Sequence, residues 1–256
     1  MTKILRLALS YLDNIRLNRL SSSLINLMSR QNYAHGLSWF GVPIFQTPTD
    51  LYVYQEIIFK VKPRVIIETG VAKGGSVLFV CQLLDLIHSN DKKNDWKIIC
   101  SDINSLEDAI KATETFGYSE RIEFFRGDSA SSEFREFTSN IILSMNKPKV
   151  LLSLDSNHTE QHVLAELEQL GNFVSDTSYA IVWDSRISDL SWLTHLVRPR
   201  AWSKRKHAGT GAAIFMEKEG PKNRFIFDDS FENRLRISGV KNGILLRRDC
   251  ESNNPR

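Results

Sequence analysis

A histidine and two aspartates stand where short apolar runs of this chain give out, and their types suit proton transfer and cation binding. The run VLLSL is followed by Asp155-Ser156-Asn157-His158, and YAIV by Trp183-Asp184-Ser185. Two carboxylates at such run ends can hold a hard cation such as Mg²⁺ through oxygen, and the cation would lower the pKa of a bound hydroxyl. Each aspartate can equally cap the helix or turn that follows it. His158 is either a general base or an orienting hydrogen-bond partner. His88, His195 and His207 stand in no comparable context.

Earlier runs end in groups suited to a different task. VIIE closes in Glu68-Thr69-Gly70 and leads through Val71-Ala72-Lys73-Gly74-Gly75 to Ser76. Glycines let backbone approach a ligand, and Ser76 is placed to cap a helix whose N-terminal amides favour a carboxylate or phosphate. The turn lacks the GKS/T of a P-loop and the GxGxxG of a dinucleotide site, which counts against both. KIICS ends at Asp102, where a ribose can offer two hydroxyls to one carboxylate. IEFF is followed by Gly127-Asp128-Ser129, a polar turn able to bond an adenine or simply to close on itself as an Asx turn.

These groups require elements that bring them to one edge. β-branched runs at 65–68, 97–101, 122–125, 150–154 and 179–183 predict strands, and the stretches 76–88, 105–115, 132–144 and 161–175 between them predict helices. Strands this apolar, alternating with helices, imply a mostly parallel sheet covered on both faces, with ligands beyond the strands' carboxyl ends. LYVYQEIIFKV predicts a preceding helix capped by Thr49 or Asp50 and ended at Lys62-Pro63. A helix over AAIFMEKE and late strands in RFIF and ILLRR then finish the sheet in antiparallel fashion.

The 256 residues, 42% hydrophobic and 25% charged, suit one folded domain rather than a fibrous or disordered chain. We divide them into an N-terminal helical extension (1–35), an α/β domain (36–249) and a tail (250–256). A net charge of +3 is too small to suggest wholesale nucleic-acid binding. Cys81 and Cys100 lie in apolar runs, Cys250 near the end, and none has metal-ligand or CxxC spacing, which reads as a reducing, cytoplasmic setting. No apolar stretch is long enough to span a bilayer, and no signal-peptide pattern opens the chain. Residues 3–30 space leucines among Arg6, Arg16, Arg19 and Arg30, the pattern of an amphipathic basic helix or helix pair. Such an element packs on its own domain or a second subunit, or rests on an anionic membrane surface.

The succession WFGVPIFQTPTDLYVYQEII, KPRVIIETGVAKGGS, SDI, GDS, LDSNH with HVLAEL, and AWSKRKHAGTGAAIFMEK with GILLRR resembles the cephalosporin hydroxylase family over roughly residues 36–248. That family resembles class I S-adenosylmethionine-dependent O-methyltransferases. The resemblance implies a Rossmann-like class I methyltransferase fold in which Glu68 and Gly70 line the methionine side of the cofactor. Gly74 and Ser76 belong to the same turn, Asp102 would hold the ribose, and Asp128 with Ser129 would lie near the adenine. It further implies Mg²⁺ ligation by Asp155 and Asp184, and Asp155, His158 and Asp184 as the catalytic group. Where relatives tend to carry an acidic residue this chain has Trp183, which leaves two metal carboxylates instead of three. Gln46, Asp50 and Gln55 match the family segment near the site entrance. The implied activity is O-methylation of a sugar, glycan or related small acceptor, in cell-surface polysaccharide or secondary-metabolite synthesis; the rival is a silent cofactor-binding assembly subunit. Arg198, Arg200, Lys204, Arg205 and Lys206, with Trp192 and Trp202, would suit an acidic or phosphorylated glycan or form a solvated loop. A homo-oligomer, peripheral membrane contact through the N-terminal helix, and no nucleic-acid partner complete the expectations.

Overall fold

The computed structural model describes residues 3–91, 95–197, 201–231 and 237–249. Residues 250–256, expected as a tail, and with them Cys250, lie outside this range, as do Arg198 and Arg200. The chain opens with α1 (Lys3–Arg30), one continuous helix where the sequence allowed a pair. A small hairpin, β1 (Ser38–Trp39) and β2 (Val42–Pro43), leads to α2 (Pro48–Val61). Its N-cap is Thr47, whose hydroxyl accepts from the Asp50 amide at 3.3 Å, and not Thr49 or Asp50 as expected. Pro48 at the first helical position, where an amide hydrogen would be unpaired anyway, fixes this start.

The alternation then follows the predicted order: β3 (Val65–Thr69), α3 (Gly75–His88), β4 (Lys97–Asp102), α4 (Glu107–Thr115), β5 (Ile122–Arg126), α5 (Ser132–Ser144), β6 (Val150–Leu154), α6 (Glu160–Leu170) and β7 (Tyr179–Val182). Two helices, α7 (Trp192–Val197) and α8 (Ala208–Lys218), and two strands, β8 (Phe225–Phe227) and β9 (Ile244–Arg247), complete it. The seven-stranded sheet has the order β5-β4-β3-β6-β7-β9-β8. Of the two late strands, β9 is antiparallel to both its neighbours, which returns β8 to the sense of the parallel strands.

Side-chain alternation divides the core between the faces of this sheet. Ile66, Ile98, Leu151 and Ile181 pack with α2, α3 and α4 on one side, while Val65, Ile67, Ile99, Leu152 and Val182 pack with α5, α6 and α8 on the other. Cys81 and Cys100 are buried free thiols, and burial pushes both well above the usual thiol range. The winding starts at β3, runs outward to β5, and resumes at β6 on the other side of β3. Ligands of such sheets bind where the winding reverses, beyond the carboxyl ends of the two central strands. Glu68 pairs with Ser153 and Thr69 with Leu154, so Gly70 and Asp155 leave the sheet side by side.

Candidate active site

At this crevice Asp155 N donates to Thr69 O at 3.0 Å and Gly70 N to Ser101 O at 2.9 Å, which binds three strand ends together. A Cβ on Gly70 would lie 2.1 Å from the Asp155 carbonyl oxygen, and its φ of +79° is one that side chains disfavour. Glycine is required here by both space and backbone. Beyond it the turn bends through Ala72 (φ 49°) and Gly74 (φ 86°) into α3. Ser76 does not cap that helix as expected: Gly74 holds the cap position, and the Ser76 hydroxyl donates to Glu68 Oε1. Tyr54 donates to Glu68 Oε2 at 3.3 Å. Burial nevertheless pushes the Glu68 carboxyl up to about 7, because two neutral donors do not replace the water it has lost.

A cavity of about 400 Å³ opens over these ends. Gly70, Ser76, Asp155, His158 and Asp184 line it together, with Gln46 and Asp50 from the segment that starts α2. His158 Nε2 stands 3.5 Å from Asp184 Oδ2 and 3.9 Å from Asp155 Oδ1, between the two carboxylates. Gln46 Nε2 donates to Asp155 Oδ2 at 2.6 Å. Even so, burial and then the charges of Asp184, Glu68 and Asp50 hold the Asp155 carboxyl well above the usual carboxylate range. Burial also lifts Asp50 to about 6, against hydrogen bonds from Ser238, Thr47 and the Gly239 amide. The site is thus a concentration of carboxylates that favours protons or cations.

Among the described residues no three His, Cys, Asp or Glu side chains converge as a ready metal site. Trp183 explains part of this: it turns into the core, donates to Ser153 Oγ at 2.9 Å and packs on Tyr54 with ring centroids 5.3 Å apart. Asp184, in a left-handed conformation (φ 51°), instead directs its carboxylate to the cavity.

The remaining expected residues lie behind or beside this wall. Asp102 accepts from the Ala72 amide at 2.9 Å, and from the Asn104 amide and side chain at 2.9 and 3.1 Å, which joins the turn after β3 to the end of β4. Asp128 is exposed and closes an Asx turn on the Ala130 amide. Ser129 and Ser156 both donate to Glu166 Oε1 at 2.6 Å, and His162 Nε2 lies 3.1 and 3.2 Å from the two hydroxyls. Gln55 does not reach the cavity, and Trp192 stands in solvent, whereas Trp202 lines the cavity. Lys204, Arg205 and Lys206 are exposed.

Sequence reasoning missed the cavity's outer wall. Ile25, Met28 and Ser29 of α1 form it with Asn32, Tyr33, His35 and Phe45. The only signal was an apolar residue every third or fourth position, which says nothing of what the helix meets.

The family model of rhamnosyl O-methyltransferase/CmcI matches residues 31–248. The rhamnosyl O-methyltransferase of Mycobacterium leprae (strain TN) is 27% identical over 215 residues, covering 82% of this chain and 83% of that one. The one from Mycobacterium bovis (strain BCG / Pasteur 1173P2) is 24% identical, covering 82% and 78%. Among solved structures, CmcI with Mg and SAM superposes with a TM-score of 0.56 at 18% identity, covering 84% of this chain and 78% of that one. CmcI with SAH superposes at 0.51 and 16% identity, covering 82% and 81%. These superpositions bear out the Rossmann-like class I fold. With the family model matched across nearly all of the α/β domain, the chain belongs to the rhamnosyl O-methyltransferase/CmcI family and is an S-adenosylmethionine-dependent O-methyltransferase.

Proposed function

We propose that the cavity receives S-adenosylmethionine along the turn after β3 and presents its methyl group to a hydroxyl of a sugar, glycan or related small acceptor, in the synthesis of a cell-surface polysaccharide or secondary metabolite. The observation that carries this reading is that Asp155, His158 and Asp184 share one cavity wall with Gly70 and Ser76. A proton acceptor then stands beside a turn suited to a ligand's charged end. The relatives' name makes a rhamnosyl hydroxyl the first acceptor to test.

When bound, the cofactor supplies a sulfonium methyl group and leaves as a neutral thioether. The protein's part is to align the acceptor oxygen behind that methyl and to take up its proton. His158 Nε2 takes that proton, and the flanking oxygens of Asp155 and Asp184 stabilise the imidazolium that results. Gln46 keeps Asp155 in place. Asp102 accepts the ribose hydroxyls on lone pairs left by Ala72 and Asn104. Glu68, Gly70, Gly74 and Ser76 shape the methionine side, and Asp128 with Ser129 borders the adenine. Trp202, on the cavity wall, offers a face for the acceptor's ring.

The donor set also suits Mg²⁺, which binds through one or two carboxylates and keeps several waters. Asp155 and Asp184 would hold it, and a cation there would relieve the crowding of carboxylates that raises Asp155. When bound, the ion would act as a Lewis acid on the acceptor hydroxyl.

Calorimetric titration of S-adenosylmethionine and its demethylated product, with and without Mg²⁺, tests the assignment on wild type and Asp102→Ala. Micromolar affinity that Asp102→Ala abolishes is expected, followed by transfer of labelled methyl to a rhamnoside. Affinity unchanged by Asp102→Ala would remove the ribose assignment, and transfer to no sugar hydroxyl would remove the acceptor.

A further inference from the structure

α1 faces the protein with its less apolar side. Ser21 is buried, Ile25, Met28 and Ser29 form the cavity wall, and Asn26 clamps the helix to α7. Its Oδ1 accepts from the Ser191 amide at 2.6 Å and the Thr194 hydroxyl at 2.9 Å, and its Nδ2 donates to the Asp189 carbonyl at 3.2 Å. Leu9, Leu12, Leu20, Leu24 and Leu27 share the opposite side at helical spacing and are all exposed. α7, which Asn26 holds against α1, also exposes Trp192 (74%), Leu196 (68%) and Val197 (55%). An apolar surface of this kind marks an interaction site.

Charge identifies the occupant. α1 carries Lys3, Arg6, Arg16, Arg19 and Arg30 against Asp13 alone, a net of +4, more than the +3 of the whole chain. Pairing with α1 of a second copy would set two such helices against each other. Lys204, Arg205 and Lys206, exposed in the segment after α7, add to the same sign. Among the described residues no helix is long and apolar enough to cross a membrane. Exposed leucines interleaved with Arg16 and Arg19, whose stems can lie along them, and the exposed Trp192 of the helix clamped to α1 suit a helix lying flat in the headgroup region of an anionic bilayer.

We propose that the outer face of α1 and the exposed side of α7 form a docking surface for anionic lipid. The inner face of α1 walls the cavity, so docking sets that cavity beside the headgroups, within reach of a lipid-borne acceptor. The docking itself is independent of which hydroxyl is methylated.

The test uses the full chain with phosphatidylcholine vesicles and with vesicles of equal parts phosphatidylcholine and phosphatidylglycerol. Co-sedimentation with the anionic vesicles at least tenfold stronger than with the neutral ones, and weakened by salt, is expected. Leu20→Glu with Leu27→Glu should lower that binding at least tenfold, and Arg16→Ser with Arg19→Ser severalfold. Leu143→Glu, on the exposed surface of α5, should not change it. Far-UV circular dichroism and cofactor titration confirm that each variant is folded. The proposal is overturned if the wild type binds neither vesicle, or if the leucine pair leaves binding intact. It is overturned equally if the wild type elutes as a dimer that the leucine pair converts to monomer, since a second copy then covers this face.

Discussion

Glu68 closes the first parallel strand with its carboxyl taken up by Ser76 and Tyr54, and burial has moved it from an ordinary value of 4.5 to about 7. Because the folded protein holds this proton more tightly than the unfolded chain, the associated stability is fully present below pH 4.5 and is lost as pH rises through 7. Linkage puts the loss at about 3 kcal/mol. Glu68→Gln should remove it, so denaturant midpoints of wild type and variant, compared between pH 4 and 8, should diverge as pH rises; parallel curves would show that folding leaves the Glu68 carboxyl at its ordinary value. At His158 the expectation is kinetic. His158→Ala should lower kcat by about 10²–10⁴-fold, the usual worth of a positioned base, while cofactor affinity stays within a factor of about two. Asp155, His158 and Asp184 were legible because each ends, or closely follows, an apolar run, and such runs are strands whose tips meet at one edge. Asp50 was legible only as a cap or an entrance residue, since its partners Ser238 and Gly239 are nearly two hundred positions away. Trp183 could be read as a missing carboxylate, but its burial against Tyr54 could not be inferred from its neighbours in sequence.

The turn from β3 into α3 works only while its backbone can touch the loop after β6. Gly70→Ala would put a Cβ 2.1 Å from the Asp155 carbonyl oxygen at a φ of +79°, so one of the two loops must move. A destabilisation of about 2–4 kcal/mol is expected from strain and overpacking, with loss of cofactor binding by calorimetry. A second connection runs through α6. Glu166 is fully buried, accepts from Ser129 and Ser156, and so joins the loop after β5 to the one that carries Asp155 and His158. Glu166→Ala frees both hydroxyls and should raise the cofactor Kd about tenfold, near 1.4 kcal/mol. Glu166→Gln retains an accepting oxygen and should recover most of the affinity, a rescue that a simple cavity effect would not give. The order and type of these elements followed from apolar runs and helical spacing. Their caps did not: Ser76 has the right side chain for an N-cap, but it stands inside the helix, two residues past Gly74, and its hydroxyl donates to Glu68. The outward direction of the α1 leucines was hidden for a related reason, because periodicity defines a face without saying what that face meets.

At the scale of the whole molecule, the cavity draws on residues from Ile25 to Gly239 and exists only when the sheet is complete. The antiparallel β9 inserts between β7 and β8, and the segment before it brings Ser238 and Gly239 onto Asp50 and the Lys241 amide onto Ser185. A Cβ on Gly239 would meet Asp184 Oδ1 and Asp50 Oδ2, each at 3.2 Å, so this segment packs directly behind the carboxylates of the cavity. Gly243 is tighter still, with a Cβ there only 2.4 Å from the Val182 carbonyl oxygen and from Ser185 Oγ. Substitutions so far along the chain should therefore lower stability and activity together. Ser238→Ala removes a 2.6 Å donor from a buried carboxylate and should cost about 1–3 kcal/mol, and Gly243→Ala should cost at least as much by displacing β9 from β7. In both variants kcat should fall because Asp50 and Asp184 shift with the segment that packs against them. His158→Ala should fall in kcat alone, with its denaturation midpoint close to wild type. Paired measurements of midpoint and kcat on the three variants separate a catalytic group from the frame that positions it, and a Ser238→Ala enzyme that lost stability while keeping full kcat would show that the C-terminal segment supports the fold without shaping the site.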